Sequence, residues 1–282
     1  MKVPFRLVDV FGEHPFTGNQ LCVVPDPADL SGEQMQMLAL EIGFSETTFV
    51  TSVHEGGYSM RVFTPQGELP FAGHPTLGTA FVLASEGRVS SPTLQTVAAG
   101  EFRVWADTGE GTAQVLQHPP EFGDEIADRK AVAEAAGLAP ADLHPGLAPR
   151  VVSTGLAHLM VPAASLSAVE HANPDFRALE RLTRHLSCDG YYLFALTDEG
   201  ARARLFAPEA GVAEDAATGS AAGPLAAFLA SEGVHTGPLS IRQGMEIGRP
   251  SLLLARASRS GRSWEVRVGG SVWIVGEGSF TV

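Results

Sequence analysis

Short runs rich in Val, Leu and Phe, each bounded by Gly, Pro or Asp, recur along the chain. FRLVDVF, QLCVVP, TTFVTS and SMRVFTP come first, then VVSTGLAHLMVP, YYLFAL, ARARLFAP, SLLLARA, WEVRVGG and SVWIVG. Such runs predict strands. Two other stretches, about Pro75–Ser85 and about Ala221–Ser231, are small and apolar nearly all round, the pattern of a helix buried on every side. Pro75 suits a first helical position, and Pro224 is expected in a first turn too, because deeper inside it would break the helix. Gly87 and Gly233 are the stop signals. More amphipathic helices are predicted at Ser31–Ile42, with Ser31 as cap and Glu33 early, at Asn173–Ser187, and near Arg129–Ala136.

The two apolar helices sit in a repeat. The segment from Arg61, RVFTPQGELPFAGHPTLGTAFVLASEG, resembles the one from Arg204, RLFAPEAGVAEDAATGSAAGPLAAFLASEG. Arg61, Phe63, Pro65 and Leu69 match Arg204, Phe206, Pro208 and Val212 at an offset of 143. Ala84-Ser85-Glu86-Gly87 matches Ala230-Ser231-Glu232-Gly233 at an offset of 146, so three extra residues lie in the turn near Asp215. Gly100 and Gly244 fall in the same register, 144 apart. Several matches in order at a near-constant offset mark two homologous halves, 1–130 and 131–282, with the last strand, SVWIVGEGSFTV, able to return to the first half. The expected fold class is α+β: two homologous domains, each a β-barrel-like sheet wrapped around a central buried helix, related by a pseudo-twofold. Clefts between such domains are preferred ligand sites.

Composition narrows the chemistry. The length of 282 residues fits one large domain or two of about 140. With 44% hydrophobic and 18% charged residues the chain reads as an ordinary soluble globule. A net charge of −13 argues against a nucleic-acid partner. No stretch approaches the ~20 apolar residues of a membrane span, and Pro4 and Asp9 interrupt any signal core, so no membrane partner and a cytoplasmic location are expected. Only Lys2 and Lys130 are lysines, and neither suits a Schiff base. HExxH, GxSxG and GxGxxG are absent, which leaves no fingerprint for a metal, a serine nucleophile or a dinucleotide. Cys22 and Cys188, shifted by 144, land on Leu166 and Phe44; they are not repeat-related, as a two-thiol epimerase would need, and read as core residues in a reducing compartment.

Both buried helices start from polar approaches, Phe71-Ala72-Gly73-His74-Pro75 and Glu214-Asp215-Ala216-Ala217-Thr218-Gly219-Ser220. A helix N-terminus offers free N–H groups and the positive end of a dipole, which together hold an anion. A pseudo-twofold would let the two starts face each other, with Gly73 and Gly219 allowing close approach of a carboxylate substrate. Glu46, in GFSETTFV, interrupts a strand pattern; in a closed apolar cleft such a carboxyl has a raised pKa and can carry a proton. Taken singly, each of these residues has a plainer reading: Glu46 as a solvated strand residue, His74 as a hydrogen-bonded structural residue, Asp215 as a turn former, and the Gly, Ser and Thr residues as caps.

SETTFV, RVFTPQGELPFAGHPTLGTA, RLFAPEAGVAEDAATGSAA and RQGMEIGRPS together resemble the PhzF family of phenazine-biosynthesis-like proteins, which shares the diaminopimelate epimerase fold. The resemblance runs from DVFGEHPFTGNQLCVV to GGSVWIVGEG. It implies a homodimeric isomerase with no cofactor and no metal. On the matching positions it implies Glu46 as general acid/base, with His74 and Asp215 orienting and polarising the substrate. Gly73, Gly219 and Ser220, with Thr218 of the same TGS turn, would bind a carboxylate, and Asn19 would line the pocket. Gln20, Ala216 and Ala222 stand where the family often has other residues. The alternatives are a non-catalytic carboxylate-binding protein on the same fold and an amino-acid epimerase or racemase.

Overall fold

A computed structural model describes residues 1–27, 29–261 and 263–282. Along the first part of the chain run β1 (Lys2–Val10), β2 (Asn19–Val24), α1 (Gly32–Ile42), β3 (Glu46–His54), β4 (Gly57–Phe63), β5 (Glu68–Leu69), α2 (Gly73–Ser85), β6 (Thr93–Val97), β7 (Gly100–Asp107) and β8 (Thr112–Gln117). There follow β9 (Glu121–Glu125), α3 (Arg129–Ala135), β10 (Arg150–Ser153), β11 (Ala157–Pro162), α4 (Leu166–His171), α5 (Phe176–Leu186), β12 (Gly190–Thr197) and β13 (Gly200–Ala207). The last elements are β14 (Val212–Asp215), α6 (Gly219–Ser231), β15 (Gly237–Gln243), β16 (Ser251–Ser260) and β17 (Ser263–Thr281). The protein is mostly β with few helices. No helix among the described residues is long and apolar enough to cross a membrane.

Two compact units divide the chain, 1–116 with 269–282, and 117–268. The division expected at residue 130 therefore shifts. Residues 117–130 pack with the second unit because β9 pairs with β10, and 269–282 pack with the first because that part of β17 pairs with β1.

In the first unit β1–β2, β3–β4, β6–β7, β7–β8 and β1–β17 are antiparallel, whereas β2–β3 and β4–β6 are parallel. Pairing of β8 with β17 closes the ring into an eight-stranded barrel. Helix α2 runs inside it, buried from Gly73 through Leu83. Gly78 is what lets the helix in: a Cβ there would come within 2.6 Å of Leu21 and 3.1 Å of Val10. Outside, Met35 and Ala39 of α1, with Leu30 just before it, seal Val3, Cys22, Val24, Phe49 and Phe63. A reciprocal capping box of Ser31 and Gln34 starts α1 at the expected place.

In the second unit the pairings run β9–β10–β11–β12–β13–β15–β16, parallel at β11–β12 and β13–β15 and otherwise antiparallel. Helix α6 is buried from Gly219 through Leu229 and packs on β10, β11 and β16. On the other face α3, α4 and α5 cover Leu159, Val161, Tyr191, Leu193 and Phe206.

Several local expectations change. Pro224 lies at the sixth position of α6, not in its first turn, and the helix continues past it. The ring removes one helical hydrogen bond, and burial of the whole helix outweighs that loss. Helix α2 begins at Gly73, so Pro75 is its third residue, still among the positions whose N–H needs no helical partner. The run VVSTGLAHLMVP is two antiparallel strands rather than one, and α5 starts at Phe176 behind an Asp175 cap. WEVRVGG and SVWIVG are one continuous strand, β17.

Candidate active site

Strand alternation sets the first cluster. On β3, Thr48 faces inward and its hydroxyl bonds Thr79 of α2 at 2.8 Å, while Phe49 faces α1. Glu46, two residues before Thr48, shares the inner face. Its Oε2 lies 3.4 Å from Nε2 of His74, the second residue of α2. The His74 side chain is 4% exposed and that of Glu46 15%. Oε2 itself is buried without an aligned hydrogen bond. Desolvation pushes the Glu46 carboxyl up to about 7, against a smaller lowering by the Ser45 hydroxyl.

The hydrogen bonds around His74 assign its tautomer. Ser45 donates to Asn19 Oδ1 at 3.3 Å, which turns the Asn19 amide nitrogen toward His74 Nδ1 at 3.2 Å. Nδ1 therefore accepts. Nε2 lies 3.3 Å from the Gln20 carbonyl, an acceptor only, so Nε2 carries the proton and also faces Glu46. Asn19 is delivered here by the β1–β2 hairpin, in which it pairs with Val10, and the loop before it is held by Asp9, which accepts from the Phe16 N–H at 2.7 Å.

The first turn of α2 has no side-chain cap. It is braced from below instead. Tyr58 donates to Gln95 at 2.8 Å, Gln95 donates to Thr76 at 2.9 Å, and Thr76 donates to the Ala72 carbonyl at 2.9 Å. Gly73, the first residue of this helix, is buried.

The second unit holds the other residues. Thr218 precedes α6 but does not cap it, because its hydroxyl donates to Asp215 Oδ2 at 2.6 Å. Gln243 uses both ends of its amide here. Nε2 donates to Thr218 Oγ1 and to the Asp215 carbonyl, both at 2.9 Å, while Oε1 accepts from Tyr192 at 3.1 Å and the Thr218 N–H at 3.3 Å. Gly219 opens α6, and its carbonyl accepts from Gln117 at 2.9 Å. Ser220, the second residue, lies 3.0 Å from Nε2 of His158. Thus Glu46, His74 and Asn19 gather around the start of α2, and Asp215, Thr218 and Ser220 around the start of α6.

Sequence reasoning missed Ser45, Gln117, His158 and Gln243. His158 had one signal, a histidine in the apolar run GLAHLMV; Gln243 lay within the quoted RQG. Of the positions that depart from the family pattern, Gln20 exposes its side chain and its carbonyl meets His74, whereas Ala222 is fully buried in α6. Burial pushes both cysteine thiols up to about 12, which keeps them protonated and unreactive.

A barrel around a buried helix thus brings a desolvated carboxyl beside a histidine at the helix start. The chain belongs to the phenazine biosynthesis-like (PhzC-PhzF) family, whose model matches residues 8–278. It is 36% identical over 288 residues to the trans-2,3-dihydro-3-hydroxyanthranilate isomerase of Pseudomonas chlororaphis, covering 99% of each chain. Among solved structures it resembles a PhzF-family phenazine biosynthesis protein of Bacillus anthracis, at TM-score 0.90 and 25% identity over all of both chains. It also resembles a predicted epimerase of Pseudomonas aeruginosa, at TM-score 0.87 and 33% identity over 99% of each. The protein is an isomerase with the fold of this family.

Proposed function

We propose that this isomerase shifts a hydrogen within a small carboxylate without a cofactor, using Glu46 as the proton carrier. One observation carries the reading: Glu46 Oε2 is buried beside His74 without an aligned hydrogen bond, and desolvation pushes the carboxyl up to about 7. Near neutral pH such a group is available in both forms, so it can take a proton from one carbon and return it to another. The His74 Nε2–H supports the carboxylate form and polarises a substrate hydroxyl or amine. The uncapped starts of α2 and α6, with Gly73, Gly219 and Ser220, supply donors for the carboxylate. Asp215, held by Thr218, assists. That both helix starts serve one substrate is part of the proposal and rests on the repeat. The repeat is read as an internal duplication, and the matching order of parallel and antiparallel pairings in the two units supports that reading.

The named activity of the Pseudomonas relative points to a cyclic, unsaturated amino carboxylate as the substrate class. The test is turnover of trans-2,3-dihydro-3-hydroxyanthranilate in deuterated water, followed by NMR. Isomerisation is expected for the native chain and a loss of about 10²–10⁴-fold for Glu46→Gln. Equal rates in both proteins would overturn the assignment of Glu46, and tight binding without turnover would favour a non-catalytic carboxylate-binding protein.

A further inference from the structure

The second unit places a different group where the first has its glutamate. In the first unit the parallel pair β2–β3 matches Leu21 with Glu46, and the Glu46 side chain reaches the second residue of α2. In the second unit the parallel pair β11–β12 matches His158 with Gly190. The sequence offset of 144 carries Glu46 onto Gly190, which has no side chain. The imidazole of His158, from the neighbouring strand, takes the room instead. A Cβ on Gly190 would lie 3.0 Å from both His158 Nδ1 and Leu205, tighter than ordinary contact, so the glycine gives the ring room. The ring then reaches Ser220, the second residue of α6.

The hydrogen bonding of this ring is one-sided. His158 is 3% exposed; Nε2 lies 3.0 Å from Ser220 Oγ, and Nδ1 is buried with no hydrogen-bond partner. A buried orphan N–H is rarer and more costly than an under-used acceptor. Nδ1 is thus the bare acceptor, and Nε2–H donates to Ser220. Desolvation lowers the ring to about 4, which keeps it neutral around pH 7. With its oxygen already accepting from His158, the single Ser220 proton must be donated elsewhere. The neighbouring Thr218 hydroxyl is committed to Asp215, so it does not compete.

We propose that His158 is a positioning residue that holds Ser220 as a dedicated hydrogen-bond donor, its O–H turned from the ring toward the carboxylate of the substrate at the start of α6. The inference rests on the carboxylate-binding role proposed above for Ser220.

Two measurements test it. The first is the His158 ring tautomer, read by long-range ¹H–¹⁵N correlation NMR on the native chain, which needs no ligand. A neutral Nε2–H ring between about pH 6 and about pH 8 is expected; an Nδ1–H tautomer or a charged ring overturns the proposal. The second is titration with anthranilate as a stable carboxylate probe. Ser220→Ala and His158→Phe should each weaken binding by about tenfold, the scale of one hydrogen bond to a charged group. His158→Gln, whose amide can donate to Ser220, should recover most of the loss, and adding Ser220→Ala to His158→Phe should change little. Weakening by Ser220→Ala with none by His158→Phe would sink the positioning role and leave the carboxylate site standing. Indifference of binding to Ser220→Ala, or no binding by the native chain, would instead count against the carboxylate site and remove the functional half of the inference.

Discussion

Glu46 Oε2 and His74 Nε2 stand 3.4 Å apart inside the first barrel, close enough for an ion pair but without an aligned hydrogen bond. Nε2 also faces the Gln20 carbonyl at 3.3 Å, so its one proton is shared between two acceptors. With the ring neutral this is no charge pair, and the Oε2 atom of Glu46 is left weakly satisfied. The arrangement suits the proton carrier proposed above.

The raised Glu46 carboxyl has a consequence for stability. Between about pH 4.5 and about pH 7 the folded chain holds a proton that the unfolded chain has released, so stability falls as pH rises through that window. Glu46→Gln removes the penalty. The variant is expected to be more stable than the native chain at about pH 8, by on the order of 3 kcal/mol, with the gap closing below about pH 4.5. Urea unfolding at the two pH values checks this; a native chain that is the more stable at high pH would contradict it.

His158 works in the opposite sense. Its ring stays neutral down to about 4 in the folded chain, whereas an unfolded histidine charges near 6.5. The unfolded state therefore binds more protons across that window, and the folded chain loses stability as pH falls from about 6.5 to about 4. His158→Gln has no such ring to charge. Its unfolding midpoint should fall less steeply with acid, the difference across the window being on the order of 3 kcal/mol. Parallel acid slopes for the two proteins would show that the ring is not buried as a neutral group.

Thr218 ties Asp215 to the start of α6, donating at 2.6 Å and accepting from Gln243. Thr218→Val keeps the shape and removes the hydroxyl, leaving Asp215 without that donor and Gln243 without that acceptor. Turnover should drop about tenfold or more, and stability by about 1–3 kcal/mol. Thermal unfolding and steady-state kinetics measured together separate the two effects. An unchanged kcat would remove Asp215 orientation from the mechanism.

Gly223 is where α6 meets a buried glutamine. A Cβ there would fall 1.8 Å from Gln117 Oε1 and 2.9 Å from Val266. That oxygen accepts from Thr154 at 2.8 Å, while the Gln117 amide nitrogen donates to the Gly219 carbonyl. Gly223→Ala must therefore expel the glutamine and strand its partners. A loss of about 2–4 kcal/mol is expected, larger than an ordinary helix substitution and opposite in sign to helix propensity. Chemical denaturation decides it; a stabilised variant would mean that the glutamine moves aside freely.

Some of this was legible without coordinates. The apolar runs around Pro75–Ser85 and Ala221–Ser231 announced buried helices, because a helix with no polar face has nowhere to go but inside. Ser31 marked the start of α1. Glu46 and His74 stood out because polar residues interrupted a strand and opened an apolar helix. The brace residues Gln95, Gln117 and Gln243 did not stand out, since a glutamine on a strand usually faces water, and only the partners around it show that it is buried and satisfied. Pro224 misled for a related reason: a local rule about helices was outweighed by packing on all sides.

Local pattern, then, determined most of the elements and the residue types at the two helix starts, since these depend on neighbours a few positions apart. Tertiary structure alone decided that Glu46 lies beside His74, that Gly190 yields its place to the ring of His158, and that β17 completes the first barrel. Those outcomes depend on strand register between segments distant in the chain, and a slip of one residue would have turned Glu46 or His158 to the opposite face.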